Sequence, residues 1–304
     1  RQVSMRNVNE PVPKCVREEE RMAKQLLGKE VTAALNERIK GNVAKLKEKG
    51  IQPTLGIIRV GEREDDLSYE RGATKRCETL GVAYEKILLP ADVSQEELMA
   101  AVDRVNNDDN IHGVLIFRPL PKHLDEAAVI KALSPEKDVD GITDGSMVGV
   151  FAGTDQGFPP CTPWACMEIL DHYGIDCTGK KAVVIGRSLV VGKPAAMMLL
   201  KKNATVTICH TRTKDMPSVV KEADIVIVAA GRAGIVDDTY LREGQIVIDV
   251  GINVNAEGKL CGDVDYAKAE PVVEAITPVP GGVGSVTTSV LVGHVVEAAM
   301  RKYL

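Results

Sequence analysis

The stretch most ready for chemistry runs from Lys181 to Pro194. Ala182, Val183, Val184 and Ile185 read as a buried strand, Gly186 opens a tight loop, and a helix is expected to start near Gly192. Pro194 suits the first turn of that helix, where a missing N–H is no loss. A strand that turns through glycine into a helix N-terminus presents unpaired N–H groups and a partial positive charge, which suits an anion such as a dinucleotide phosphate. The spacing is G-R-S-x-x-V-G rather than the common G-x-G-x-x-G, so an ordinary strand–helix turn stays open beside the anion site. His210 has no evident paired carboxylate or nucleophile and reads as structural. No C-x-x-C pair occurs among the seven cysteines, so no metal site is expected and reduced thiols fit best.

The elements that must hold these residues alternate along the chain. Val31, Ala34, Leu35, Ile39, Val43 and Leu46 recur at helical spacing over 30–49 and stop at Gly50. Strands are expected over 54–60, 83–89 and 113–117, and helices over 67–80, from the Ser94/Glu97 capping box, and over 125–133. That order argues for the α/β class with a parallel or mostly parallel sheet. A glycine-rich, poorly periodic stretch then runs to Phe158, and Pro159, Pro160 and Pro163 mark a domain boundary. A helix over 164–173 leads into a second α/β unit with strands over 182–185, 206–209, 225–229 and 246–250. An amphipathic helix over 287–302 is expected to pack back on the first unit.

We therefore divide the chain into a leader or extension (1–21), a first domain (22–160, completed by 287–304) and a Rossmann-like second domain (161–286). The 304-residue length suits two domains. The net charge of -5 argues against a broad nucleic-acid surface, and 3% aromatics against a stacking platform for single strands. No apolar run is long enough to span a bilayer, and 1–21 is too charged for a secretory signal. Glu18, Glu19 and Glu20 are wrong for a transit peptide, so a cytoplasmic protein is expected.

Several stretches fall into one order. They are Lys137-Asp138-Val139-Asp140-Gly141, Pro160-Cys161-Thr162-Pro163, Gly186-Arg187-Ser188 with Val191, Gly192 and Pro194, and Asn203-Ala204-Thr205-Val206-Thr207 with Cys209 and His210. Asp249-Val250-Gly251, Gly262-Asp263-Val264 and the loop from Pro278 to Gly284 follow. Together they closely resemble the methylenetetrahydrofolate dehydrogenase/cyclohydrolase family, over residues 22–304. The resemblance implies a folate domain and a Rossmann-like NAD(P) domain in a homodimer. It also implies oxidation of 5,10-methylenetetrahydrofolate by hydride transfer, followed in many members by hydrolysis of the methenyl product. It places Tyr69 and Asp140 as catalytic residues, with Phe117, Pro280, Gly281 and Gly282 also against the folate. Thr162, Gly186, Arg187, Ser188, Gly192, Thr211, Arg212, Gly251, Ile252 and Thr287 fall around the cofactor. The alternative for Asp138 and Asp140 is that they merely cap a turn.

Two catalytic positions, and one minor loop pair, depart from the family. Its pattern Tyr-x-x-x-Lys meets Tyr69 but has Ala73 at the lysine position. Lys75 lies two residues on, rotated by about 200° at ~100° per residue, and should point away from the cleft. Arg76 returns to the Tyr69 face, but a guanidinium is a poor general base. The pattern Val-Gln-Leu-Pro-Leu-Pro has Phe117 for the glutamine, with Arg118 beside it. Ser285 and Val286 stand where Pro-Met is usual. Hydride transfer needs mainly proximity and orientation, whereas hydrolysis needs proton shuttling, worth a factor of ~10²–10⁴. The expectation is a dehydrogenase with weak or absent cyclohydrolase activity. The alternatives are a bifunctional enzyme with a substitute proton carrier and a non-catalytic folate- or nucleotide-binding relative. After the second strand of the cofactor domain no acidic residue occurs, and Arg187 and Arg212 favour NADP, with NAD possible.

Overall fold

In a computed structural model, residues 22–304 are described; the expected leader at 1–21 lies outside them. The strands are β1 (Lys24–Gln25), β2 (Thr54–Val60), β3 (Ala83–Leu89), β4 (Gly113–Ile116), β5 (Lys181–Ile185), β6 (Thr205–Cys209), β7 (Ile225–Val228), β8 (Ile246–Asp249), β9 (Asn253–Val254), β10 (Leu260–Cys261) and β11 (Ala275–Ile276). The α-helices are α1 (Gly28–Glu48), α2 (Glu64–Leu80), α3 (Gln95–Asn107), α4 (Glu126–Ala132), α5 (Asp144–Ala152), α6 (Cys161–His172), α7 (Gly192–Lys201), α8 (Met216–Lys221), α9 (Tyr266–Ala269) and α10 (Thr287–Tyr303).

Two parallel sheets result. The smaller has the order β3-β2-β4, with Leu55 opposite Tyr84 on one side and Gly113 on the other. The larger has the order β1-β11-β8-β7-β5-β6. Its inner strand β7, Ile225-Val226-Ile227-Val228, is buried at every residue, as a strand covered on both faces must be. A short antiparallel hairpin of β9 and β10 stands apart.

The first half follows the expected alternation, and β2 and β3 have the expected bounds. Ser94 accepts from the Glu97 N–H while the Glu97 carboxylate accepts from the Ser94 N–H, the capping box read from sequence. The stretch after Gly141 differs from expectation. It contains α5, capped by Thr143, whose hydroxyl accepts from the Ser146 N–H, and ended by Gly153 at φ 68°.

The two sheets share one core. Leu55 and Ile57 from β2 belong to the same buried cluster as Val184 from β5 and Ile227 from β7. Helix α6 lies at the junction and touches α1, α7 and α10. Helix α10, from the end of the chain, packs on α1, α2 and β4. β1 hydrogen-bonds in register with β11, so residues that precede α1 form an edge of the larger sheet. Among the described residues no helix is long and apolar enough to cross a membrane.

Candidate active site

A cavity of about 820 Å³ opens between the two sheets. Tyr69 and Asp66 enter it from α2, Phe117 and Arg118 from the end of β4, and Asp140 from the 137–141 turn beyond α4. Cys161 and Thr162 contribute from the start of α6, Leu189 and Val190 from the loop after β5, and Thr287 from α10. The C-terminal ends of parallel strands are where such folds place ligands.

The two aspartates of the 137–141 turn do different work. Asp138 is fully buried and accepts from the N–H groups of Ile142 and Thr143 and from the hydroxyls of Thr143 and Ser146. It is a scaffold for the start of α5. Asp140 points into the cavity. Burial, helped by the neighbouring Asp138 charge, pushes its pKa up to about 6, against the pull of Arg118 and the Cys161 thiol. An ionised carboxylate there can accept two N–H donors from a planar heterocycle.

Tyr69 meets Phe117 edge to face, with ring centroids 5.8 Å apart. Burial, with Cys161 and Asp140 nearby, holds the Tyr69 phenol well above its usual pKa, so it acts as a neutral hydroxyl. Ala73 is on the same helix face and fully buried in the core with Cys77 and Leu80. Lys75 is exposed and, like Arg76, does not line the cavity. The α2 face towards the cavity therefore carries no amine. Behind it, Arg59 Nε donates to Glu70 Oε2 at 2.7 Å and Lys86 Nζ lies 2.8 Å from Glu70 Oε1. The buried Arg59–Glu70 pair, joined from the surface by Lys86, fixes α2 against β2 and β3.

On the other side, Gly186 has φ 129°, and a Cβ there would lie 2.2 Å from the Ala229 carbonyl oxygen. A Cβ on Gly192 would lie 2.2 Å from the Gly186 oxygen. Both glycines allow the tight strand–helix turn that aims the N-terminus of α7 outward. The Ser188 hydroxyl accepts from the Val191 N–H at 3.0 Å and the Gly192 N–H at 3.4 Å. Among the described residues no acceptor takes its own hydrogen, which is available to a ligand. Arg187, Thr211 and Arg212 are exposed at the ends of β5 and β6. His210 shapes that loop: its Nδ1 accepts from the Arg212 N–H at 3.2 Å.

The positions first grouped by ligand separate differently in space. Thr162 and Thr287, placed with the cofactor from sequence, line the large cavity. Pro280, Gly281 and Gly282, placed with the folate, line a second cavity of about 290 Å³ together with Gly251 and Ile252. Behind this second cavity, Asp249 accepts from the N–H groups of Gly251, Asp263 and Val264. Asp263 accepts from Ala230, Gly231 and Asn253 Nδ2. The Gly262-Asp263-Val264 motif thus braces three loops at the strand ends. Asp66, Cys161, Leu189 and Val190 are cavity residues missed in the sequence. Leu189 and Val190 occupy the unspecified positions of G-R-S-x-x-V-G, while Asp66 stands three residues before Tyr69, one helical turn away.

Comparison with known proteins accounts for both halves of this arrangement. The model described as "Tetrahydrofolate dehydrogenase/cyclohydrolase, catalytic domain" matches residues 26–140, and that described as "Tetrahydrofolate dehydrogenase/cyclohydrolase, NAD(P)-binding domain" matches 160–303. The chain is 57% identical over 279 residues to the "Bifunctional protein FolD" of Carboxydothermus hydrogenoformans, covering 91% of this chain and 97% of the relative. The crystal structure of bifunctional FolD from Campylobacter jejuni superposes with a TM-score of 0.89 at 39% identity, covering 92% and 99% of the two chains. The Trypanosoma brucei dehydrogenase-cyclohydrolase, complexed with NADP cofactor and inhibitor, gives a TM-score of 0.85 at 34% identity, covering 92% and 98%. The chain belongs to the tetrahydrofolate dehydrogenase/cyclohydrolase family.

Proposed function

We propose that the chain oxidises 5,10-methylenetetrahydrofolate to 5,10-methenyltetrahydrofolate with NADP, and hydrolyses the methenyl product slowly or not at all. Bound NADP would supply the hydride acceptor. Gly186 and Gly192 keep the turn open to a phosphate, Ser188 offers its hydroxyl hydrogen, and Arg187 and Arg212 offer charge to a 2′-phosphate. Asp140 and Tyr69 would hold the pterin end of the folate, with Phe117 packed edge-on against Tyr69. Pro280, Gly281 and Gly282 would let the reacting rings approach closely across the second cavity. Thr162, Thr287, Thr211, Gly251 and Ile252 complete the two subsites.

The observation that carries the weak hydrolysis is the pair of apolar side chains where proton carriers would be needed. Ala73 is buried in the core and Phe117 is turned against Tyr69, while Lys75 is exposed outside the cavity. A second reading, an enzyme with both activities, draws on the bifunctional relative that is 57% identical. One pair of assays decides. Reduction of NADP, and separately of NAD, is followed with methylenetetrahydrofolate, and decay of added methenyltetrahydrofolate is followed without cofactor. Rapid reduction with methenyl decay near the buffer rate is expected; fast enzymatic decay would establish the second reading. We place the working form as a homodimer, as the resemblance implies, in the cytoplasm, as the unpaired cysteines suggest; sedimentation at twice the 32.7 kDa chain mass is the check on the dimer.

A further inference from the structure

Helix α2 brings one more ionisable group to the large cavity. Asp66 is 6% exposed and lines it. Among the described residues no donor hydrogen-bonds its carboxylate and no cation pairs with it, because its nearest cations are engaged elsewhere. Arg59 gives Nε to Glu70 and another nitrogen to the Gly61 carbonyl. Arg63 donates to the Pro119 carbonyl at 3.1 Å and leans on the exposed Asp65. Burial raises the Asp66 pKa; Arg63 and Arg59 act against it, and Asp65 acts with it. A carboxylate that is unpaired, held on a buried residue and open only towards a large cavity is placed to answer a ligand there.

The face it occupies points to which ligand. Asp66, Tyr69 and Ala73 fall within about 60° of one another on α2 at ~100° per residue. Side chains of a helix lean towards its N-terminus, so the space beside Tyr69 is about one turn, ~5 Å, from the Asp66 carboxylate. With alanine at 73, Asp66 supplies the charge on that face.

We propose that Asp66 is a catalytic residue of the hydride-transfer step, facing the positive charge that forms on the folate. This rests on the folate reading above. As the C–H bond of the bridging methylene breaks and the hydride leaves to the nicotinamide, the lone pairs of N5 and N10 fill in. The product is an amidinium cation spread over N5, the bridging carbon and N10. A fixed carboxylate nearby is stronger bait for the transition state and product than for the uncharged substrate, which is the condition for acceleration. The same charge stabilises the cation against attack by water, so one side chain favours oxidation and disfavours hydrolysis.

The test compares two folates that differ in charge at those atoms. Equilibrium titration of the full chain with 5,10-methenyltetrahydrofolate (cationic) and with tetrahydrofolate (uncharged there) is carried out for wild type, Asp66→Asn and Asp66→Glu. Asp66→Asn should weaken the cation about tenfold, leave tetrahydrofolate within about twofold, and lower kcat for oxidation by a similar factor; Asp66→Glu should restore part of the ratio. Equal loss for both ligands, the mark of a merely structural residue, overturns the proposal, as does no loss for either. Failure of the wild type to bind either folate overturns the folate reading together with this one. Charge discrimination without hydride transfer to NADP or NAD overturns the reaction and the catalytic role, and leaves a cation-facing site.

Discussion

Asparagine in place of Asp140 should make the protein more stable and less active, with a pH dependence that identifies the cause. In the folded chain the Asp140 carboxyl titrates at about 6, against 3.8 for the free group. At 1.36 kcal/mol per unit that rise corresponds to about 3 kcal/mol. The sign follows from the direction. A folded-state pKa above the unfolded one means that the folded state holds the proton more tightly, so the group's favourable contribution is present below 3.8 and is lost as pH rises through 6. At pH 8 the ionised carboxylate therefore costs the empty cleft its full penalty. Asp140→Asn keeps the shape and removes the charge. At about 2 °C per kcal/mol for a chain of this size, its Tm should exceed wild type by about 6 °C at pH 8 and by roughly half that at pH 5. Oxidation of the folate should fall by about a hundredfold, because an amide cannot accept from two N–H donors in the same geometry. Scanning fluorimetry across pH 5–8 reads the first effect and initial rates the second. A lower Tm at pH 8, or a gain that does not change with pH, would refute the assignment of Asp140 as a strained, ligand-facing carboxylate.

Other outcomes follow from the same geometry. Gly186→Ala places a methyl 2.2 Å from a carbonyl oxygen at φ 129°, so it should lower stability by about 2–3 kcal/mol and weaken NADP at least tenfold, read by urea unfolding and by titration. Arg187→Ala and Arg212→Ala should each cut kcat/KM for NADP about tenfold and leave that for NAD within about threefold; equal losses would remove both residues from the 2′-phosphate. Ala73→Lys combined with Phe117→Gln should raise methenyl hydrolysis by about a hundredfold over wild type, with retained NADP reduction as the control for folding.

Much of the architecture could be read from local pattern. β2 is a seven-residue strand rich in Leu, Ile and Val between Pro53 and Gly61, and β3 begins after the Gly81 that ends α2, so boundaries coincide with residues that cannot continue the preceding element. Helix α5 escaped that reading because its apolar residues face both ways and its order comes from outside. Asp138 anchors its first turn, and Gly145, Gly149 and Gly157 lie where a Cβ would strike Pro135, Gln156 or Ser146. β1 and β11, of two residues each, carry no periodicity at all and exist through their pairing. The site follows the same division. Gly186, Gly192 and Asp138 announce themselves by backbone demands, whereas Thr162 and Thr287 reach the large cavity only because α6 and α10 meet there. Asp66 carries no signal until its burial and lack of partners are known.

The packing of α10 bears on how the protein is made. A ribosome delivers α1, α2 and the three-stranded sheet first, yet the layer that covers α1, α2 and β4 is the last seventeen-residue helix, Thr287–Tyr303. Val290, Leu291, Val295 and Val296 from that helix lie in one cluster with Leu35, Ile39, Leu55 and Ala73. Until those residues leave the exit tunnel, the early-born half has an open apolar flank, the kind of surface that nascent-chain chaperones cover. The half that is translated first is therefore the half that is finished last.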